Sequence, residues 1–89
     1  LLAQQDATVY NQLGMCKMQM EDYEAALTAF QEGMKMENCP CMQSLRFNEI
    51  VAYEYLGEFR KAMVLMESYL LTYPDDLEAK KEYDFLKTR

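Results

Sequence analysis

An apolar helical motif returns after 36 positions in this chain, and that return limits what it can fold into. Tyr23, Ala26, Leu27 and Phe30 come back as Phe59, Ala62, Met63 and Met66, each pair 36 residues apart. Within a copy the spacing i, i+3, i+4, i+7 puts the four side chains on one face of an α-helix. Another apolar-periodic stretch precedes each copy, across a short break: Glu21-Asp22 in the first, Gly57-Glu58 in the second. Helix, tight turn, helix, repeated, cannot bury its stripes as one isolated pair, so neighbouring pairs must stack. Composition agrees with an all-α chain. Only three Gly and two Pro punctuate 89 residues, and good helix formers such as Ala, Leu, Met, Glu, Gln and Lys abound.

Taken in order, residues 1–6 read as the remnant of a preceding helix, with Asp6 as an N-cap for the next. The first full helix is expected from Ala7 to about Met20, with Val9, Tyr10, Leu13 and Cys16 or Lys17 as its inward stripe. Gly14 lies in its middle, where it costs about 1 kcal/mol against Ala and permits close approach of a neighbour. Asp22 caps a second helix, Tyr23 to about Glu37. Asn38-Cys39-Pro40-Cys41 is a loop, because Pro40 cannot continue a helix. The third helix, Gln43 to Leu56, is apolar on more than one side and should lie sandwiched between neighbours. Gly57 ends it, Phe59 to about Tyr73 forms the fourth, and Pro74 stops that one. Asp75, with Glu78 three residues on, is expected to cap a last helix over Leu77–Thr88.

These residues resemble the tetratricopeptide repeat, whose pattern is W-x2-L-G-x2-Y, then A-x3-F, then P, at a period of about 34. The first copy supplies Tyr10, Leu13, Gly14, Lys17, Tyr23, Ala26 and Phe30, with Asn38 in place of the final proline. The second supplies Arg46, Glu49, Ile50, Tyr53, Phe59, Ala62, Met66 and Pro74, poorer in its first helix than in its second. The resemblance implies an α-solenoid of two antiparallel helix pairs plus a C-terminal capping helix. Residues 7–42 are repeat one, 43–76 repeat two and 77–89 the cap, as the C-terminal part of a bacterial repeat protein. In this family the first helix of each repeat lines a concave groove. Carried over by position, the peptide-groove residues are Asn11, Met15, Phe47, Asn48, Val51 and Tyr55, with Glu78, Lys81 and Phe85 following on the cap. The family's clamp for anionic chaperone tails is not expected. Asn48 stands at one clamp position, but Asn11 and Met15 replace a Lys and an Asn, and Glu78 and Glu82 replace two cations.

Other chemistries fit poorly. The chain has no histidine, so a Ser/His or Cys/His nucleophile pair cannot form within it, and no Gly-rich phosphate loop is present. Cys39 and Cys41 with a distant Cys16 do not close a four-ligand site, so no metal, cofactor or catalytic residue is expected. Cys16 is expected to pack inward as a small hydrophobe. A net charge of −6, with dispersed Lys and Arg, argues against nucleic acid, and no apolar run reaches the ~20 residues of a membrane span. The expected partner is a protein or peptide segment, bound by a non-enzymatic scaffold. The alternative is a structural spacer or self-association segment of a larger repeat protein, with a homodimer through the N-terminal edge. Phe47, Val51 and Tyr55 share one helix face and are either an apolar peptide strip or core covered by the closing helix. The compartment stays open between the cytoplasm and an extracytoplasmic lipoprotein.

Overall fold

The computed structural model describes residues 7–36 and 41–88. The expected Asp6 cap, the helical remnant before it and the Asn38–Pro40 part of the loop lie outside the described residues. Five helices run through what is described: α1 (Ala7–Gln19), α2 (Tyr23–Met34), α3 (Met42–Tyr55), α4 (Phe59–Thr72) and α5 (Leu77–Lys87). Each packs on the next, and α1 also touches α3. Gln43 of α3 reaches Asp76 at the start of α5. Thus α1, α3 and α5 form one layer and α2 and α4 the other, in a slab of 46 × 27 × 16 Å.

The two helix–turn–helix joints are built alike. Glu21 N–H donates to Met18 C=O and Asp22 N–H to Lys17 C=O, at 3.0 and 2.9 Å. Gly57 N–H donates to Glu54 C=O and Glu58 N–H to Tyr53 C=O, at the same two distances. Both are Schellman closures, which require a left-handed residue after the helix. Gly57 supplies it at φ 80°, whereas Glu21 adopts φ 62° without the freedom of a glycine. Asp22 then caps α2 by accepting from Ala25 N–H at 3.3 Å.

Two hydrophobic clusters make the core. Ala7, Ala26, Phe30, Leu45 and Ala52 form the first, between α1, α2 and α3. Ile50, Ala62, Met66, Tyr69, Ala79 and Leu86 form the second, between α3, α4 and α5. Helix α3 contributes to both, which is why it is apolar on more than one side. Ala26 and Ala62, the small positions of the two copies, are fully buried.

Helix α1 departs from its expected orientation. Its buried residues are Ala7 and Gly14, seven apart on one face. The Phe30 ring lies against Gly14 so closely that a Cβ there would fall 2.3 Å from Phe30 Cε1. That contact fixes the rotation of α1 and turns the opposite face outward. Val9 and Leu13, expected inward, are 47% and 45% exposed, and Cys16 is exposed rather than packed as a hydrophobe. Three further expectations are corrected. Helix α2 ends at Met34, three residues before Glu37. Tyr55, at the end of α3, is 62% exposed and not sandwiched. The cap of α5 is Asp76, whose side chain accepts from Ala79 N–H at 3.1 Å; Asp75 stands one residue too early, so the Asp75–Glu78 box does not form.

Candidate functional site

Helices α3 and α5 lie in the same layer and leave a cleft between them. Phe47, Val51 and Tyr55 recur every fourth residue along α3 and line one wall. Glu78, Lys81, Glu82 and Phe85 line the other from α5, and Glu54 and Phe59 complete it. The cleft measures about 680 Å³, within the range of small-ligand and peptide sites. Tyr55 and Phe85 are 62% and 44% exposed, while Phe47 and Val51 are half-buried. The closing helix therefore flanks the stripe and does not cover it. Tyr55 is steadied from the first repeat, where its ring stacks on Tyr23 with centroids 4.9 Å apart and planes 8° apart. Phe47 leans on Tyr69 at 5.9 Å.

The position of α5 sets the width of the cleft, and a hydrogen-bonded cluster fixes that position. Asp76 Oδ1 accepts from Ala79 N–H, and Asp76 Oδ2 accepts from the Tyr69 hydroxyl at 2.5 Å and from Gln43 Nε2 at 3.3 Å. One carboxylate thus caps α5 and ties it to α4 and α3. The hydrogen bond from Tyr69 holds the Asp76 carboxyl below its usual value. Burial, with that bond to a carboxylate, pushes the Tyr69 phenol up to about 12. The Arg46 guanidinium sits over the Tyr69 and Tyr73 rings, 5.7 and 5.5 Å from their centroids. Further along, the Tyr83 hydroxyl donates to Glu67 Oε2 at 3.0 Å and ties α5 to α4 a second time.

The expected groove residues divide in two. Phe47, Val51 and Tyr55 converge on the cleft. Asn48 does not line the cleft: its Nδ2 donates to Asn11 Oδ1 at 2.9 Å, and Asn11 Nδ2 donates to Ser44 Oγ at 3.4 Å. These amides join α1 to α3. Met15 is 50% exposed on α1, away from the cleft. Phe59 and Glu82 were not among the expected groove residues. Phe59 matched the inward position of its repeat, but as the first residue of α4, directly after the turn, it also reaches the cleft mouth. Glu82 follows Glu78 by one helical turn, and its sequence signal is its place, with Glu78, at a clamp position of the family pattern. Of the Cys39-Pro40-Cys41 motif only Cys41 is described; it is half-buried with Sγ 3.9 Å from Thr8 Oγ1. Among the described residues no three His, Cys, Asp or Glu side chains converge as metal ligands, and no helix is long and apolar enough to cross a membrane.

Two layers of paired helices, joined by matching turns, define an all-α helical-repeat protein. Residues 7–38, the stretch that contains α1 and α2, match the family model of the tetratricopeptide repeat. No curated protein and no solved structure matches the chain. Repeats of this kind generally mediate contacts between proteins and are typically non-enzymatic scaffolds.

Proposed function

We propose that this protein is a non-enzymatic scaffold that holds a protein or peptide segment in the cleft between α3 and α5. The observation that carries the reading is the aromatic wall left open there. Phe47, Val51 and Tyr55 face Phe85 across about 680 Å³, and two of the four are more than 40% exposed. Side chains of an extended or helical segment fill such a space and gain the burial that the cleft itself lacks. Met15 and the Asn11–Asn48 pair belong to the adjoining surface of α1 and the support beneath it. Val51→Arg is the direct test, because it fills the cleft centre while its backbone stays helical. Fluorescence anisotropy against a peptide library should show at least about tenfold weaker binding, with unchanged far-UV circular dichroism. Equal binding by wild type and Val51→Arg would remove the cleft from consideration.

A second reading is favoured by a separate observation. Leu13 and Cys16 lie exposed along one face of α1, opposite the face that packs on α2, with exposed Met20 directly after the helix. Stacked helix pairs bury such a face against a neighbour. In this reading the α1 edge meets another helix pair or a second copy, and the protein acts as a spacer or self-association segment. Sedimentation of wild type and Leu13→Glu separates the readings. A dimer dissociated by Leu13→Glu assigns the edge to self-association, whereas a monomer in both refutes that assignment.

A further inference from the structure

We propose that the α3–α5 cleft takes a cationic segment, a stretch of chain in which Arg or Lys side chains flank an apolar anchor; this rests on the cleft being the binding site. The floor is apolar and the rim is acidic. Glu54, Glu78 and Glu82 line the cleft, against Lys81 as the single cation among the lining residues. Glu78 and Glu82 stand one turn apart on the same face of α5. Among the described residues the ion pairs are Lys35–Glu32 and Lys87–Asp84, so neither Glu78 nor Glu82 has an internal counter-ion to give up. Low-dielectric aromatic walls concentrate the field of these carboxylates at the cleft mouth.

Each candidate occupant meets that field differently. An anionic tail is repelled. A neutral apolar segment buries Phe47 and Phe85 but strips water from carboxylates that it cannot pair. A cationic segment does both tasks, since the aliphatic stem of Arg lies along the rings while its guanidinium pairs with a carboxylate. Charge also decides the order of events, because attraction over the Debye length steers the segment in before the anchor seats.

Three blocked peptides test the proposal. All carry Leu and Phe at alternate positions, with Arg, Gln or Glu between them, and binding is followed by fluorescence anisotropy at low and high salt. The Arg peptide is expected to bind at least about tenfold tighter than the Gln peptide, the Glu peptide not at all, and salt should erode the Arg advantage. The double variant Glu78→Gln, Glu82→Gln should remove most of that advantage, by weakening the Arg peptide and not the Gln peptide. Equal binding of Arg and Gln peptides, both lost in Val51→Arg, refutes the charge preference and leaves the cleft as the site. Binding of none of the three, or binding indifferent to Val51→Arg, refutes both. Self-association that Phe85→Arg abolishes would assign the cleft to a second copy and overturn the proposal.

Discussion

Asp76 caps α5 and holds it to α4, so its removal should cost more than a helix cap alone. Asp76→Ala removes the Oδ1 bond to Ala79 N–H, a loss of about 1 kcal/mol for an N-cap. It also strands the hydroxyl of Tyr69, a residue only 1% exposed, and an unsatisfied buried hydroxyl costs about 1–3 kcal/mol. The expected total is about 2–4 kcal/mol. Tyr69→Phe takes away the hydroxyl and leaves Asp76 half-exposed to water, so it should cost only about 1–2 kcal/mol. In the Tyr69→Phe background, Asp76→Ala has no hydroxyl to strand and should cost about 1 kcal/mol, the cap alone. Urea melts followed by far-UV circular dichroism on the four proteins give the coupling directly. A coupling of about 1–3 kcal/mol is expected. If Asp76→Ala costs the same in both backgrounds, the carboxylate does not join α5 to α4, and the cleft wall must be held by Tyr83 and the packing of Ala79 and Leu86.

The remaining predictions concern the turns, the α1–α2 contact and pH. Glu21→Gly should stabilise by about 0.5–1 kcal/mol, since it relieves about 1–2 kcal/mol of left-handed strain and returns part of it as unfolded-chain entropy. Gly57→Ala should destabilise by about 1 kcal/mol on backbone grounds alone, because nothing lies within 4 Å of the added Cβ; thermal melts read both signs. Gly14→Ala gains about 1 kcal/mol of helix propensity but drives a methyl into the fully buried Phe30 ring, an overpacking cost of about 1–3 kcal/mol. A net loss is expected, partly recovered by Phe30→Leu in the same melts. Tyr69 titrates at about 12 when folded, above its ordinary value of 10.0, so its contribution is complete below pH 10 and lost as pH rises through that interval. Tyr69→Phe should flatten this alkaline limb of stability relative to wild type. Asp76, held low, contributes above its ordinary 3.8 and loses that contribution as pH falls through its lower folded value.

Much of this fold could be read from the sequence because its signals are local. Ala26 and Ala62, the Gly57 stop and the Asp22 cap each act within one turn of the chain, and each stands where periodicity puts it. The misplaced features depend on neighbours far along the chain. Asp75 and Asp76 are equally good caps in isolation, and only the reach of Tyr69 and Gln43 to the second of them decides between the two. The rotation of α1 depends on Phe30 seating against Gly14, and an apolar pattern that includes Val9, Leu13 and Cys16 gives no sign of it. The cleft was half legible. Positional carry-over found Phe47, Val51, Tyr55 and Phe85, because a helix face is a matter of spacing. It also named Asn11 and Asn48, which do not line the cleft; Asn48 Nδ2 donates to Asn11 Oδ1 and Asn11 Nδ2 to Ser44 Oγ, pairings between residues 37 and 33 apart that spacing does not express.

Helix α3 is the one element shared by the two hydrophobic clusters, with Leu45 and Ala52 in the first and Ile50 in the second. The two halves of the molecule are therefore coupled through a single shaft, and opening of one need not open the other. A segment seated between α3 and α5 would bear chiefly on the second cluster, its link to α2 being the Tyr55–Tyr23 stack. Amide hydrogens of α4 and α5 would slow their exchange in proportion to occupancy, while those of α2 would keep the rate of the empty protein. Occupancy of the cleft would in that way be written as a gradient of protection along the chain.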